Sequence, residues 1–231
     1  MIEKTIFTFL KHYNLIVMIK DRPNKFIKWL ATGIGEWWFL RHFAAIKFIG
    51  EMTAAPERPC LMLMNHYSFN DGVILNRICR RILKKELKAM VIEKQLKALP
   101  ALKYFGCFSV NKNSRKMIES LNYATELLKD PANMLGIYPQ GGLFSMHLNK
   151  IHFVSGLEYI FKRTYTIPFQ VFFGVTLLDY LENYKPIARI YLTEYHGERQ
   201  IDVMEEAYNV FYSECKQKHQ RLYNAPERVI D

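Results

Sequence analysis

Cys60-Leu61-Met62-Leu63-Met64-Asn65-His66-Tyr67-Ser68-Phe69-Asn70-Asp71 decides the fold. The first five residues are an unbroken apolar run preceded by Pro56 and Pro59. A run this short, bounded by turn residues, reads as a strand buried on both faces. His66 and Asp71 then lie directly beyond its C-terminal end, the edge at which open α/β sheets bind ligands. Each residue turns a helix by about 100°, so side chains five apart face different sides of it. The two can meet only if His66 precedes the helix and Asp71 reaches back from its first turn, where the positive end of the helix dipole favours a carboxylate. If they meet, such a pair can act as a general base with its orienting acid, and the substrate's own hydroxyl can then take the place of a serine nucleophile. Ser68-Phe69-Asn70-Asp71 equally has the form of a capping box. On that reading Asp71 only holds the helix start and His66 is a loop histidine.

Outward from this stretch the pattern alternates. A helix is expected from about Ser68 to Leu87 and a strand over Lys88–Ile92. A short helix over Gln95–Tyr104 is broken at Pro100, and Cys107–Val110 is a strand. Ser114–Lys129 is amphipathic, with Met117, Ile118, Leu121, Ala124, Leu127 and Leu128 on one side. Strands over Met134–Tyr138, Ile167–Val175 and Ile187–Leu192, and helices over Gly156–Arg163 and Asp202–Leu222, complete the pattern. Alternation of this kind predicts one α/β domain with a central, mostly parallel sheet flanked by helices. Residues 1–50 read as an N-terminal helical segment, with residues 51–231 as the α/β domain. Phe26, Trp29, Trp37, Trp38, Phe39 and Phe43 alternate there with Lys25, Lys28, Arg41 and Lys47. That mixture suits a helix in the headgroup region of a membrane, and equally an arm packed on its own domain.

Half of the residues are hydrophobic and the net charge is +10, which excludes a disordered chain and favours an anionic partner. Cys60, Cys79, Cys107 and Cys215 have no metal-ligand spacing and read as free thiols, so no metal is expected. Lys11, His12 and Lys20 interrupt the apolar N-terminus, which argues against a secretory signal. No run of 18 apolar residues occurs, so no spanning helix is expected. The protein is expected on the cytoplasmic side of a membrane, bound peripherally.

Arg77, Arg80, Arg81, Lys84, Lys85 and Lys88 follow helical spacing. Taken as one face of the helix after Asp71, they form a cationic stripe that would dock on an anionic membrane surface or an acidic carrier protein. The same charges and aromatics would suit nucleic acid, but no nucleic-acid motif accompanies them.

Further blocks follow in order: Gly106-Cys107-Phe108-Ser109-Val110-Asn111-Lys112, then Ile137-Tyr138-Pro139-Gln140-Gly141-Gly142, then Ile167-Pro168-Phe169. With Asn65–Asp71 they resemble the four motifs of the glycerolipid (lysophospholipid) acyltransferase superfamily, the PlsC-like group: NHxSxxD, a G-x-[IF]-[FP]-[IV]-[DN]-R block, FPEGTRS and a [VI]-P-[VI] step. Val91–Leu96 and Phe153–Gly156 resemble the flanking segments, and the likeness spans residues 58–175. The resemblance implies an acyltransferase domain in which His66 and Asp71 act as a catalytic dyad. It implies an acyl thioester donor, acyl-CoA or acyl-carrier protein, a lipid alcohol acceptor, and no permanently bound cofactor. Asn111, Lys112, Gln140, Gly141 and Gly142 would hold the acceptor. The family's Arg is Lys112 here, its Glu is Gln140, its Thr is Gly142 and its Arg of the third motif is Leu143. These departures point away from simple lysophosphatidate as acceptor. A lipid-binding protein without catalysis and a lipid or thioester hydrolase are the alternatives.

Overall fold

The computed structural model describes residues 18–111 and 114–222. Helix α1 (Lys25–Leu40) leads into strand β1 (Ala45–Ile49), and after a loop comes β2 (Cys60–Met64). Helix α2 (Asp71–Arg77) continues as a π-helical turn over Ile78–Leu83, followed by β3 (Glu86–Ile92) and α3 (Glu93–Ala98). A 3-10 turn over Pro100–Phe105 precedes β4 (Cys107–Val110), α4 (Ser114–Leu127) and β5 (Asn133–Ile137). Helix α5 (Gly156–Arg163), β6 (Gln170–Asp179), β7 (Ile187–Tyr195) and α6 (Ile201–Arg221) follow.

The strands form one sheet in the order β1-β7-β6-β2-β5-β3-β4. From β6 to β4 every pairing is parallel, whereas β7 runs antiparallel to β6 and β1 parallel to β7. The sheet is therefore mostly parallel, with a reversed pair at one edge. β2 is central: Cys60 to Leu63 pair with Met134 to Ile137 on one side, and Cys60 to Met64 with Gln170 to Gly174 on the other. All five of its residues are buried, as a strand covered on both faces requires. Alternate residues feed two cores. Leu61, Leu63, Leu135, Val171 and Phe173 pack with α4, α5 and α6. Met62, Met64, Met134 and Phe172 pack with Phe39 of α1 and with Ile74, Leu75 and Ile78 of the α2 segment. Gly136 of β5 makes the second packing possible, because a Cβ there would stand 2.4 Å from Leu75 Cδ2.

Two expectations are corrected. Residues 45–49, taken as part of a helical N-terminal segment, form a strand paired with β7, so the sheet begins ahead of residue 51. Its sequence Ala45-Ile46-Lys47-Phe48-Ile49 fits a half-buried edge, and pairing beyond reach of local sequence selects the strand. The cationic stripe also fails to form. The helix ends at Leu83, and Lys84 adopts a left-handed backbone with φ 54°. Lys85 is buried, its Nζ facing the carbonyls of Ala55, Pro56, Arg58 and Pro131 at 2.7–3.1 Å. Lys88 lies in β3, buried against Asp21 at 2.6 Å. Only Arg80, Arg81 and Lys84 of the six are exposed, and Arg80 and Arg81 pair with Glu36 of α1. Of the N-terminal segment, residues 1–17 lie outside the described residues, as does Lys112.

Candidate active site

β2, β3, β4 and β5 are mutually parallel, so the segments leaving them gather at one edge of the sheet: Asn65–Asp71, Glu93, Asn111 and Tyr138–Gly142. Asn65 extends β2 by side chain. Its Nδ2 donates to the Thr176 carbonyl at 3.0 Å, and its Oδ1 accepts from the Thr176 N–H at 2.8 Å. This pair of bonds to β6 fixes the chain immediately ahead of His66.

His66 sits in the loop and Asp71 opens α2. Nδ1 of His66 lies 2.8 Å from Asp71 Oδ2. The same oxygen accepts from the N–H groups of Tyr67 at 2.8 Å and Ser68 at 2.9 Å, and Ser68 Oγ donates to Oδ1 at 3.3 Å. The capping-box and dyad readings thus coexist in one carboxylate: Asp71 reaches back to the Ser68 N–H and orients the imidazole. The reciprocal half of the box is absent, since Ser68 Oγ accepts from Asn70 rather than from Asp71.

Asp71 is wholly buried and His66 is 22% exposed at its side chain. An acceptor contact at Nδ1 places the proton there and leaves Nε2 as the basic nitrogen. The ring stacks on Tyr138, with centroids 4.0 Å apart and planes 10° from parallel. Burial, and then the Asp71 charge, push the Tyr67 and Tyr138 phenols far above their ordinary range, so neither is a base near neutral pH. Burial likewise raises the Cys107 thiol to about 12, which leaves it un-ionised and poorly nucleophilic.

The remaining expected residues occupy two positions. Gln140 is buried against the His66 loop, with Oε1 accepting from the His66 N–H at 2.8 Å. Gly141 turns with φ +65°, where a Cβ would stand 2.9 Å from Val154. Gly142 follows, and the Phe144 N–H donates to the His66 carbonyl at 3.0 Å. Asn111 stands apart from this turn and donates to Glu93 Oε2 at 2.7 Å. Glu93 also pairs with Lys97 at 2.6 Å and Lys116 at 3.5 Å. Bonds from Lys97 and then Asn111 hold its carboxyl down at about 2. Arg77 closes α2, at the opposite end from Asp71, and is only partly exposed. Burial lowers its pKa. Sequence reasoning missed the Phe144 contact and the Asn65 bridge. The second had a signal, an Asn at a strand exit, but the partner strand lies 111 residues away.

Exposed apolar side chains surround the loop: Phe69 beside the dyad, and Leu143 and Phe144 after the glycine turn. Among the described residues no cluster of His, Cys, Asp or Glu could hold a metal ion.

The acyltransferase family model matches residues 45–172, more than half of the 231 residues. Among solved structures the chain is similar to the 1-acyl-sn-glycerophosphate (LPA) acyltransferase PlsC from Thermotoga maritima. The identity is 15% and the TM-score 0.51, over 86% of this chain and 80% of that one, a likeness of fold. No curated protein matches the chain. The matched span begins with β1 and takes in the His66–Asp71 pair and the turn that holds it. The chain belongs to the acyltransferase family, and the protein is an acyltransferase.

Proposed function

We propose that the protein transfers a fatty acyl group from a thioester, acyl-CoA or acyl-carrier protein, to a lipid hydroxyl, with His66 as general base. The observation that carries this reading is the 2.8 Å contact between His66 Nδ1 and the buried Asp71, which leaves Nε2 to accept a proton. Nε2 takes the hydroxyl proton as the oxygen attacks the thioester carbonyl carbon. As the tetrahedral intermediate collapses the C–S bond breaks, and the imidazolium returns the proton to the departing thiolate. Asp71 balances the imidazolium charge. Water in place of the lipid hydroxyl would give hydrolysis by the same route.

The acceptor is a neutral lipid alcohol rather than lysophosphatidate. Gln140 carries no charge, and Leu143 and Phe144 present apolar surface beside the glycine turn. The protein works at an anionic membrane surface. On α1, Phe26, Trp29, Leu30, Trp37 and Leu40 are exposed, and an amphipathic face of this kind, with net charge +10, suits the headgroup region. No helix of the described residues is long and apolar enough to cross a membrane.

The test is thiol release from palmitoyl-CoA with lysophosphatidate or with monoacylglycerol, for the native chain and for His66→Ala. Transfer to monoacylglycerol exceeding that to lysophosphatidate, and its loss in the folded variant, are expected. Equal transfer by His66→Ala overturns the mechanism, and a preference for lysophosphatidate overturns the acceptor class.

A further inference from the structure

The backbone of His66 is held at both polar groups by the turn after β5. Its N–H donates to Gln140 Oε1 at 2.8 Å, and its carbonyl accepts from the Phe144 N–H at 3.0 Å. The turn has little freedom of its own. The Gly141 N–H donates to the Tyr138 carbonyl at 3.0 Å, and the Val154 N–H to the Pro139 carbonyl at 2.9 Å. Gly141 has no room for a side chain against Val154. Gln140 is 8% exposed, so its amide is a placed group and not a surface side chain that happens to touch the loop.

The type of group matters as much as its position. An amide oxygen accepts the His66 N–H as a carboxylate would, but brings no charge. The titratable groups in contact with the ring are Asp71 of α2, which bonds it, and Tyr138, which directly follows β5 and stacks on it; Tyr67 is its neighbour in the loop. Both phenols are held neutral. Asp71 is therefore the one negative charge in contact with the histidine among the described residues. A carboxylate at position 140, bonded to the backbone N–H of the same residue, would favour the imidazolium, because a nearby opposite charge stabilises the charged form.

Resting on the general-base reading of His66, we propose that Gln140 is its positioning residue. Its oxygen fixes the His66 backbone so that the ring stays against Asp71 and Tyr138, and its neutrality avoids stabilising the imidazolium, so that Nε2 stays free to accept a proton. Gln140 is then part of the dyad's support rather than only a contact for the acceptor.

The test reads the full-length chain by NMR, independently of turnover, in the native form and in Gln140→Glu and Gln140→Ala. In Gln140→Glu the ring titration of His66 is expected to move to higher pH by about one unit. The acid limb of acyl transfer from palmitoyl-CoA to monoacylglycerol should move with it, a loss of roughly tenfold on that limb that recovers at higher pH. In Gln140→Ala the His66 N–H is expected to exchange at least about tenfold faster, with the ring titration near that of the native chain and kcat lowered more than KM is changed. A ring titration in Gln140→Glu that superimposes on the native one, or unchanged His66 N–H exchange in Gln140→Ala, overturns the proposal. Should Gln140→Glu fail to fold, the exchange measurement on Gln140→Ala decides. An absence of acyl transfer in the native chain would instead strike the general-base reading and leave the ring and exchange measurements standing.

Discussion

Asp71 Oδ2 meets three donors, the His66 ring and two backbone N–H groups, so one atom holds the loop's shape and, on the proposed mechanism, also orients the base. Asp71→Asn separates the two. The amide oxygen can still face those donors, and its nitrogen can turn to Ser68 Oγ, but the charge that balances an imidazolium is gone. Acyl transfer is expected to fall by about 10²–10⁴, and stability by only about 1–3 kcal/mol, the difference between charged and neutral acceptors over several bonds. Thiol-release kinetics beside a urea titration check both. Glu93 gives a prediction in pH. Its carboxyl is depressed from 4.5 to about 2 by Lys97 and Asn111, so its stabilising contribution is fully present above about pH 4.5 and is lost as pH falls towards 2. The native chain should therefore exceed Glu93→Gln in urea midpoint above pH 4.5, with the gap closing below it.

The buried ammonium of Lys85 ties three segments together, the loop ahead of β2, the start of β3 and the turn ahead of β5. Lys85→Met keeps the stem and strands the carbonyls of Ala55, Pro56, Arg58 and Pro131. A loss of about 2–4 kcal/mol in denaturant unfolding is expected, with the His66 site, at the opposite edge of the sheet, still assembled. Lys85 also shows where reading the sequence reaches its limit. β2, β4 and α5 have the boundaries their apolar patterns predict, because burial on two faces or one stripe leaves a local signature. The end of α2 leaves none. A lysine, not a glycine, takes the left-handed turn at residue 84, and extending a helical period through it produced a stripe that the fold divides among exposed arginines, a buried ammonium and a strand. The contact between His66 and Asp71 was legible because its five-residue spacing admits few geometries. Gln140's contact with His66 was not, since it spans 74 residues and depends on strand order that no local pattern encodes.

At the scale of the molecule the sheet divides the surface into unlike faces. α4, α5 and α6 cover one side, while α1 lies over the other and leaves Trp29 and Trp37 exposed at 71% and 59%. Replacing both tryptophans by serine is expected to weaken binding to anionic phosphatidylserine vesicles by roughly tenfold per residue, measured by co-sedimentation, with the thermal transition unchanged. Charge reversal at Arg80, Arg81 and Lys84 should weaken it further at low salt and less at high salt. The position of β2 has a separate consequence, in time rather than in space. The strand that delivers His66 lies between β5 and β6, so its second neighbour is not synthesised until residues 170–179 have left the ribosome. Non-local parallel pairing of this kind is slow to form, which makes the edge that carries His66 and Asp71 a late product of folding. A nascent chain that already carries all of the Asn65–Asp71 motif cannot make the Asn65 bonds to Thr176 until more than a hundred further residues have been added.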